Sequence, residues 1–166
     1  IDFKREKFGI PATVKTIEQS DKVGLYSICF DGSDLTEYEK FIQKFMTDAT
    51  LNKDFQKVFR AINRIVANGA LERYFRPEGR YGDHLAALSI DSKVLRVYCL
   101  RISDQILIVG NGGVKTTRTY EEDEELSGYV MDLQKFDALL EQELKKGKIK
   151  IEQNVITGIE STSFEL

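Results

Sequence analysis

Apolar residues recur along the chain in two patterns, one that marks strands and one that marks helices. Ile10 to Glu18 and Val23 to Phe30 are β-rich runs separated by the polar Gln19-Ser-Asp-Lys22, which predicts a hairpin closed by Asp31-Gly32. Ser33 or Asp34 then offers an N-cap, with Glu37 as the capping-box partner of Asp34. Tyr38, Phe41, Ile42, Phe45 and Met46 follow at helical spacing, to about Thr47. After a break at Thr50 to Asn52, the residues Phe55, Val58, Phe59, Ile62, Ile65 and Val66 predict a second helix, stopped by Asn68-Gly69.

Beyond a loop marked by Arg76-Pro-Glu-Gly-Arg80, the pattern changes to strands: Leu85 to Ile90, Val94 to Ile102 and Ile106 to Val109. Leu95, Val97 and Cys99 alternate with Arg96, Tyr98 and Leu100, and Ser103-Asp104 makes a tight joint. The expectation is an antiparallel meander with one face packed on the helices, its third strand ended by Asn111-Gly112-Gly113. The acidic run Glu121 to Glu125 opens a long helix at the end where the dipole favours carboxylates, continuing through Tyr129, Leu133, Phe136, Leu139, Leu140 and Leu144 to Gly147, with Lys145-Lys146 at the other end. A last strand, Lys148 to Ile156, precedes a polar tail from Thr157 expected to be disordered. The fold class is therefore α+β: two N-terminal helices on an antiparallel sheet, with an N-terminal hairpin over 1–32, a core over 33–120, and a C-terminal helix and strand over 121–166, all in one domain.

Composition narrows the function classes. The chain has 166 residues, 42% of them hydrophobic, enough for one core without disulfides. Cys29 and Cys99 sit in apolar runs, where a thiol behaves as a small buried hydrophobe, and with the single His84 they do not make a zinc set. No cofactor is expected. No apolar run approaches the roughly 18 to 20 residues that span a bilayer, and a cytoplasmic protein away from membranes is expected. Gly110-Asn-Gly-Gly113 lacks the Lys-Ser/Thr of a phosphate loop, and there is no Gly-x-Ser-x-Gly.

Charge is uneven. Residues 52–118 carry 12 Lys/Arg against 6 Asp/Glu, a net +6, while the rest carries 12 against 21, a net −9. A basic middle suits a polyanion. Within it, Lys53, Lys57, Arg60 and Arg64 fall at three- and four-residue steps on the second helix and form a basic stripe. A solvated charged face is the ordinary alternative.

The segment Leu95-Arg-Val-Tyr-Cys-Leu-Arg-Ile-Ser-Asp-Gln-Ile-Leu-Ile-Val-Gly-Asn-Gly-Gly-Val-Lys-Thr-Thr-Arg-Thr-Tyr120 resembles the RelE superfamily of toxins, including its HigB-like branch. In those proteins two helices precede an antiparallel sheet. A central strand carries an Arg near its start, and the next runs into a Gly-x-x-Lys-Lys/Arg-Thr-x-x-Thr/Tyr segment. The likeness covers about half the chain. It implies the toxin of a toxin-antitoxin pair: a metal-independent endoribonuclease that cuts mRNA, commonly on the ribosome, and is neutralised by an antitoxin, typically a helix-turn-helix protein.

The chemistry implied is removal of a 2′-OH proton, compensation of charge on the phosphate and protonation of the 5′ leaving oxygen. By that resemblance Arg96 contacts the phosphate, Lys115 and Arg118 stabilise the transition state, and Tyr120 orients the nucleotide by stacking. Arg80 and His84 are second-rank RNA contacts, with Lys57, Arg60 and Arg64 as an RNA-binding stripe. Each has an ordinary alternative. Arg96 is also a solvent-facing partner of buried neighbours, Lys115 and Arg118 a charged edge against aggregation, Tyr120 a staple for the next helix, and His84 a satisfied loop histidine.

Overall fold

The computed structural model describes residues 9–78, 83–116 and 123–166. Its architecture is α+β, with a mostly antiparallel sheet of seven strands. In chain order the elements are β1 (Pro11–Gln19), β2 (Gly24–Phe30), α1 (Glu37–Phe45), α2 (Asn52–Asn68), β3 (Phe75–Pro77), β4 (Leu85–Leu88), β5 (Leu95–Ser103), β6 (Ile106–Val114), α3 (Glu124–Lys146), β7 (Lys150–Glu152), β8 (Val155–Thr157) and β9 (Phe164–Glu165). The large sheet runs β3-β4-β5-β6-β2-β1-β9, and β7 and β8 form a separate hairpin.

The N-terminal hairpin lies inside the sheet. β2 pairs in parallel with β6, through Gly24 to Tyr26 against Ile106 to Ile108, and six of its seven residues are buried. Beyond Tyr26 side chains take over: the Ser27 hydroxyl donates to Val109 O at 2.6 Å and accepts the Tyr38 N–H at 3.1 Å. That bond docks the first turn of α1 on the strand.

The expectation of one covered face is corrected. Leu95, Val97, Cys99, Leu107 and Val109 face α1 and α2, where they meet Phe41, Phe55, Val58 and Ile65. Tyr98, Leu100, Ile106 and Ile108 face the other way, against Leu126, Val130, Leu133, Phe136 and Leu140 of α3. Alternation puts Arg96, Tyr98 and Leu100 in one outward row, but α3 covers Tyr98 and Leu100. Each large apolar side chain so buried contributes about 1.5–3 kcal/mol.

Several boundaries also move. The α1 N-cap is Thr36, not Ser33 or Asp34. Its hydroxyl accepts the Glu39 N–H at 3.2 Å while Glu39 Oε1 accepts the Thr36 N–H at 2.9 Å, so the capping box stands later in the chain than expected. Arg76 and Pro77, expected in a loop, belong with Phe75 to an edge strand paired with β4, which suits Pro at an edge.

Asn111-Gly-Gly113 does not end β6, which continues to Val114. Val97 lies opposite Gly112 and Cys99 opposite Val109, so Gly110 and Asn111 together oppose Tyr98 in a β-bulge. Glycine is needed there for close approach: a Cβ on Gly112 would stand 1.9 Å from Arg96 O, and one on Gly110 would stand 2.9 Å from Leu133 Cδ1.

The C-terminus is ordered. Phe164 and Leu166 are buried, β9 pairs with β1, and the Phe164 ring meets Phe136 edge-on at 4.8 Å. The polar letters of 157–163 hide a 3-10 turn, and the apolar anchors follow it. Among the described residues no helix is long and apolar enough to cross a membrane.

Candidate nucleic-acid interface

Four of the candidate cations are organised around the loop between β4 and β5, residues Ser89 to Val94. Its turn is tied by the Ser92 hydroxyl, which accepts the Leu95 N–H at 3.0 Å. Lys57 of α2 donates to Asp91 O from one side. From the other side Arg96 Nη1 donates to Ser92 O and Leu95 O, both at 3.0 Å, and the Lys115 backbone N–H donates to Val94 O at 2.6 Å. Helix α2, the start of β5 and the end of β6 therefore converge on one loop. The α2 stripe forms a groove with that loop, about 300 Å³ in volume and lined by Lys57, Arg60, Ala61, Arg64, Ser89, Ile90 and Asp91. The helical periodicity that buries Phe55, Val58, Ile62 and Ile65 leaves these cations on the rim.

Arg96 is half-buried and faces the α3 side of the sheet. Burial holds its guanidinium below the usual arginine range, and repulsion from Arg76 adds to this. Arg76 on β3 stands opposite Ala87 of β4, itself opposite Tyr98 of β5, so the two arginines lie on strands separated by β4, with Arg96 two residues along from Tyr98. Arg76 lies 3.8 Å from Glu78. A further cationic group lies at the end of α2, where Arg64 and Arg73 stand 5.9 and 5.0 Å from the Tyr74 ring centre. The Tyr74 hydroxyl accepts from Asn68 Nδ2 at 3.1 Å and from Arg73 Nη2 at 3.3 Å.

The structure thus brings together Lys57, Arg60, Arg64, Arg96 and the start of the Lys115 segment. Arg80, Arg118 and Tyr120 lie outside the described residues. His84 is not part of the group. It precedes β4, at the opposite end of that strand from the Ser89–Val94 loop, and it is not an unengaged loop residue: its Nδ1 lies 2.8 Å from Asp137 Oδ1 of α3. Sequence reasoning misses Arg73, Tyr74 and Arg76 because their letters suit a loop and its approach. The edge-strand Pro is the available signal. Nothing in the sequence pairs His84 with Asp137, 53 positions away.

The acidic start of α3 is partly neutralised. Glu125 accepts from Lys44 Nζ at 2.7 Å and from the Tyr129 hydroxyl at 3.0 Å, and these bonds, led by Lys44, hold its carboxyl below the usual range. Both cysteines are free and buried, and burial pushes the Cys99 thiol up to about 12, far from a reactive thiolate. Among the described residues no cluster of His, Cys, Asp and Glu has the makings of a metal site. Comparison with protein-family models, curated proteins and solved structures returned no match to the chain.

Proposed function

We propose that this protein binds RNA through the cationic surface around the Ser89–Val94 loop and acts as a toxin of the RelE/HigB kind, a metal-independent endoribonuclease cutting mRNA. The observation that carries the reading is the convergence of Lys57, Arg60 and Arg64 with Arg96 on two sides of one loop, although they are far apart in the chain. A groove rimmed by three cations fits a sugar-phosphate backbone, and the Arg64–Tyr74–Arg73 group offers a π-face beside it. In this reading Arg96 and Lys115 compensate phosphate charge. Arg118 and Tyr120 join them on the strength of the sequence likeness. An antitoxin, expected to be a helix-turn-helix protein, would act by covering the same cations.

The test is expression in cells of the wild type beside an Arg96→Ala/Lys115→Ala/Arg118→Ala variant. Growth arrest and fragmented mRNA from the wild type alone are expected, and equal growth with intact mRNA from both would sink the toxin reading. A second reading, a non-catalytic RNA-binding module, draws on the two carbonyls that occupy Arg96 Nη1, a use that is structural. It predicts salt-dependent RNA affinity without cleavage.

A further inference from the structure

The Ser89–Val94 loop is fixed at its ends and tethered at its tip in different ways. The ends are built into the fold: the Ser89 N–H donates to Tyr74 O at 2.9 Å, and the Val94 carbonyl accepts the Lys115 N–H at 2.6 Å. Ile90 packs half-buried against the core on the α2 side. Between these anchors lies the tip, Asp91-Ser92-Lys93. Among the described residues no backbone-to-backbone hydrogen bond reaches it.

Two cations and one hydroxyl hold the tip down. Lys57 donates to Asp91 O, and its Nζ lies 3.9 Å from the Asp91 carboxylate. Arg96 Nη1 donates to Ser92 O at 3.0 Å. The Ser92 hydroxyl closes the turn by accepting the Leu95 N–H at 3.0 Å and the Val94 N–H at 3.4 Å. The Asp91 side chain is fully exposed, so water screens its ion pair with Lys57. The two carbonyl oxygens are the main tethers.

Those tethers occupy groups that a phosphate would use. A guanidinium takes a phosphate most strongly on two parallel N–H groups, and both hydrogens of Arg96 Nη1 are directed at carbonyls, those of Ser92 and Leu95. The end-on fork of Nη1 and Nη2 is therefore incomplete while the tip is down. Lys57 gives one of its three ammonium donors to Asp91 O. The tip also divides the cationic surface, with the groove cations on its α2 side and Arg96 on its α3 side. Lifting the tip would join the two and carry the exposed Lys93 with it.

We infer that Asp91-Ser92-Lys93 is a flap that the protein's own cations hold shut and that RNA opens by drawing Lys57 and Arg96 onto its phosphates; the inference rests on the RNA reading above. Arg60 and Arg64, on the rim of the groove, make the first contact with the backbone. The carbonyls of Asp91 and Ser92 then pass to water, and phosphate oxygens replace them on the two cations. The exchange runs in that direction because a cation bonds an anionic oxygen more strongly than a neutral carbonyl. RNA affinity is accordingly that of the open form, reduced by the fraction of molecules in which the flap is up.

The experiment uses the full chain and a fluorescein-labelled single-stranded RNA oligonucleotide. Rapid mixing follows the binding rate as RNA concentration is raised. Amide hydrogen exchange follows Val94 and Leu95, whose N–H groups close the turn on Ser92. Wild type is compared with Ser92→Ala, which removes the hydroxyl without changing a charge, after thermal unfolding shows that both are folded. The wild-type rate is expected to level off at high RNA, because opening then limits it. With RNA bound, the two amides are expected to exchange at least about threefold faster. Ser92→Ala should reach a higher plateau and bind at least about threefold more tightly. A wild-type rate that stays proportional to RNA, or amides that exchange no faster in the complex, overturns the inference and leaves RNA binding standing. A folded Ser92→Ala chain with the wild-type plateau and affinity does the same. A wild type that binds no RNA removes the underlying reading, and the flap with it. If Ser92→Ala unfolds, the wild-type rate and exchange decide.

Discussion

A methyl group added at Gly112 would stand 1.9 Å from the Arg96 carbonyl oxygen, so Gly112→Ala forces β5 and β6 apart at the residue that anchors the Ser89–Val94 loop. Overpacking of this kind costs about 1–3 kcal/mol or more, and urea unfolding is expected to show a loss of at least about 2 kcal/mol. A loss under about 0.5 kcal/mol would mean that the bulge relaxes freely. At His84 the effect is on pH. Its folded pKa is raised, so the Asp137 pair stabilises the fold fully below the ordinary value of 6.5 and loses that contribution as pH rises through the folded value. The stability gap between wild type and Asp137→Asn should therefore be wider at about pH 5.5 to 6 than at about pH 8.5. A gap that is flat with pH would contradict the pairing.

Elements are legible in the sequence where one periodicity rules. Both N-terminal helices and the cores of β2, β5 and β6 stand where their apolar residues put them, the helices because each has one buried stripe and the strands because their runs are buried on both faces. The misplacements share a cause: local letters are outweighed by partners far along the chain. Asn111-Gly112-Gly113 looks like a stop, yet Gly110 and Gly112 allow a bulge whose neighbours are Leu133 and Arg96. The 157–166 segment looks like a tail, yet Phe164 fills space against Phe136. Phe164→Ala should accordingly cost about 3–5 kcal/mol in chemical denaturation, and a cost below about 1 kcal/mol would show that β9 is only loosely docked.

At the scale of the whole molecule, the net +6 of residues 52–118 is visible in the sequence, but its shape is not. Helical spacing places Lys57, Arg60 and Arg64 on one face. Only the course of the Ser89–Val94 loop joins that face to Arg96. The His84–Asp137 pair is illegible for the same reason, since α3 returns across the sheet to meet a residue 53 positions earlier. The acidic remainder of the chain, with Glu125 tied to Lys44, leaves an overall charge of −3 and a surface whose attraction for polyanions is local.

The central claim, that this local surface holds RNA, is tested most directly by the salt dependence of single-stranded RNA binding to the wild type and to a Lys57→Ala/Arg60→Ala/Arg64→Ala variant. The three substitutions lie on the rim of the groove and leave the buried face of α2 intact. If the groove holds the backbone, the wild-type affinity falls linearly with salt on a log–log plot. The variant then binds more weakly, with a slope shallower by about 2, because each phosphate neutralised on a single strand adds roughly 0.7 to the slope. Equal affinity and equal slope in the two proteins, or no wild-type binding at low salt, would contradict the account.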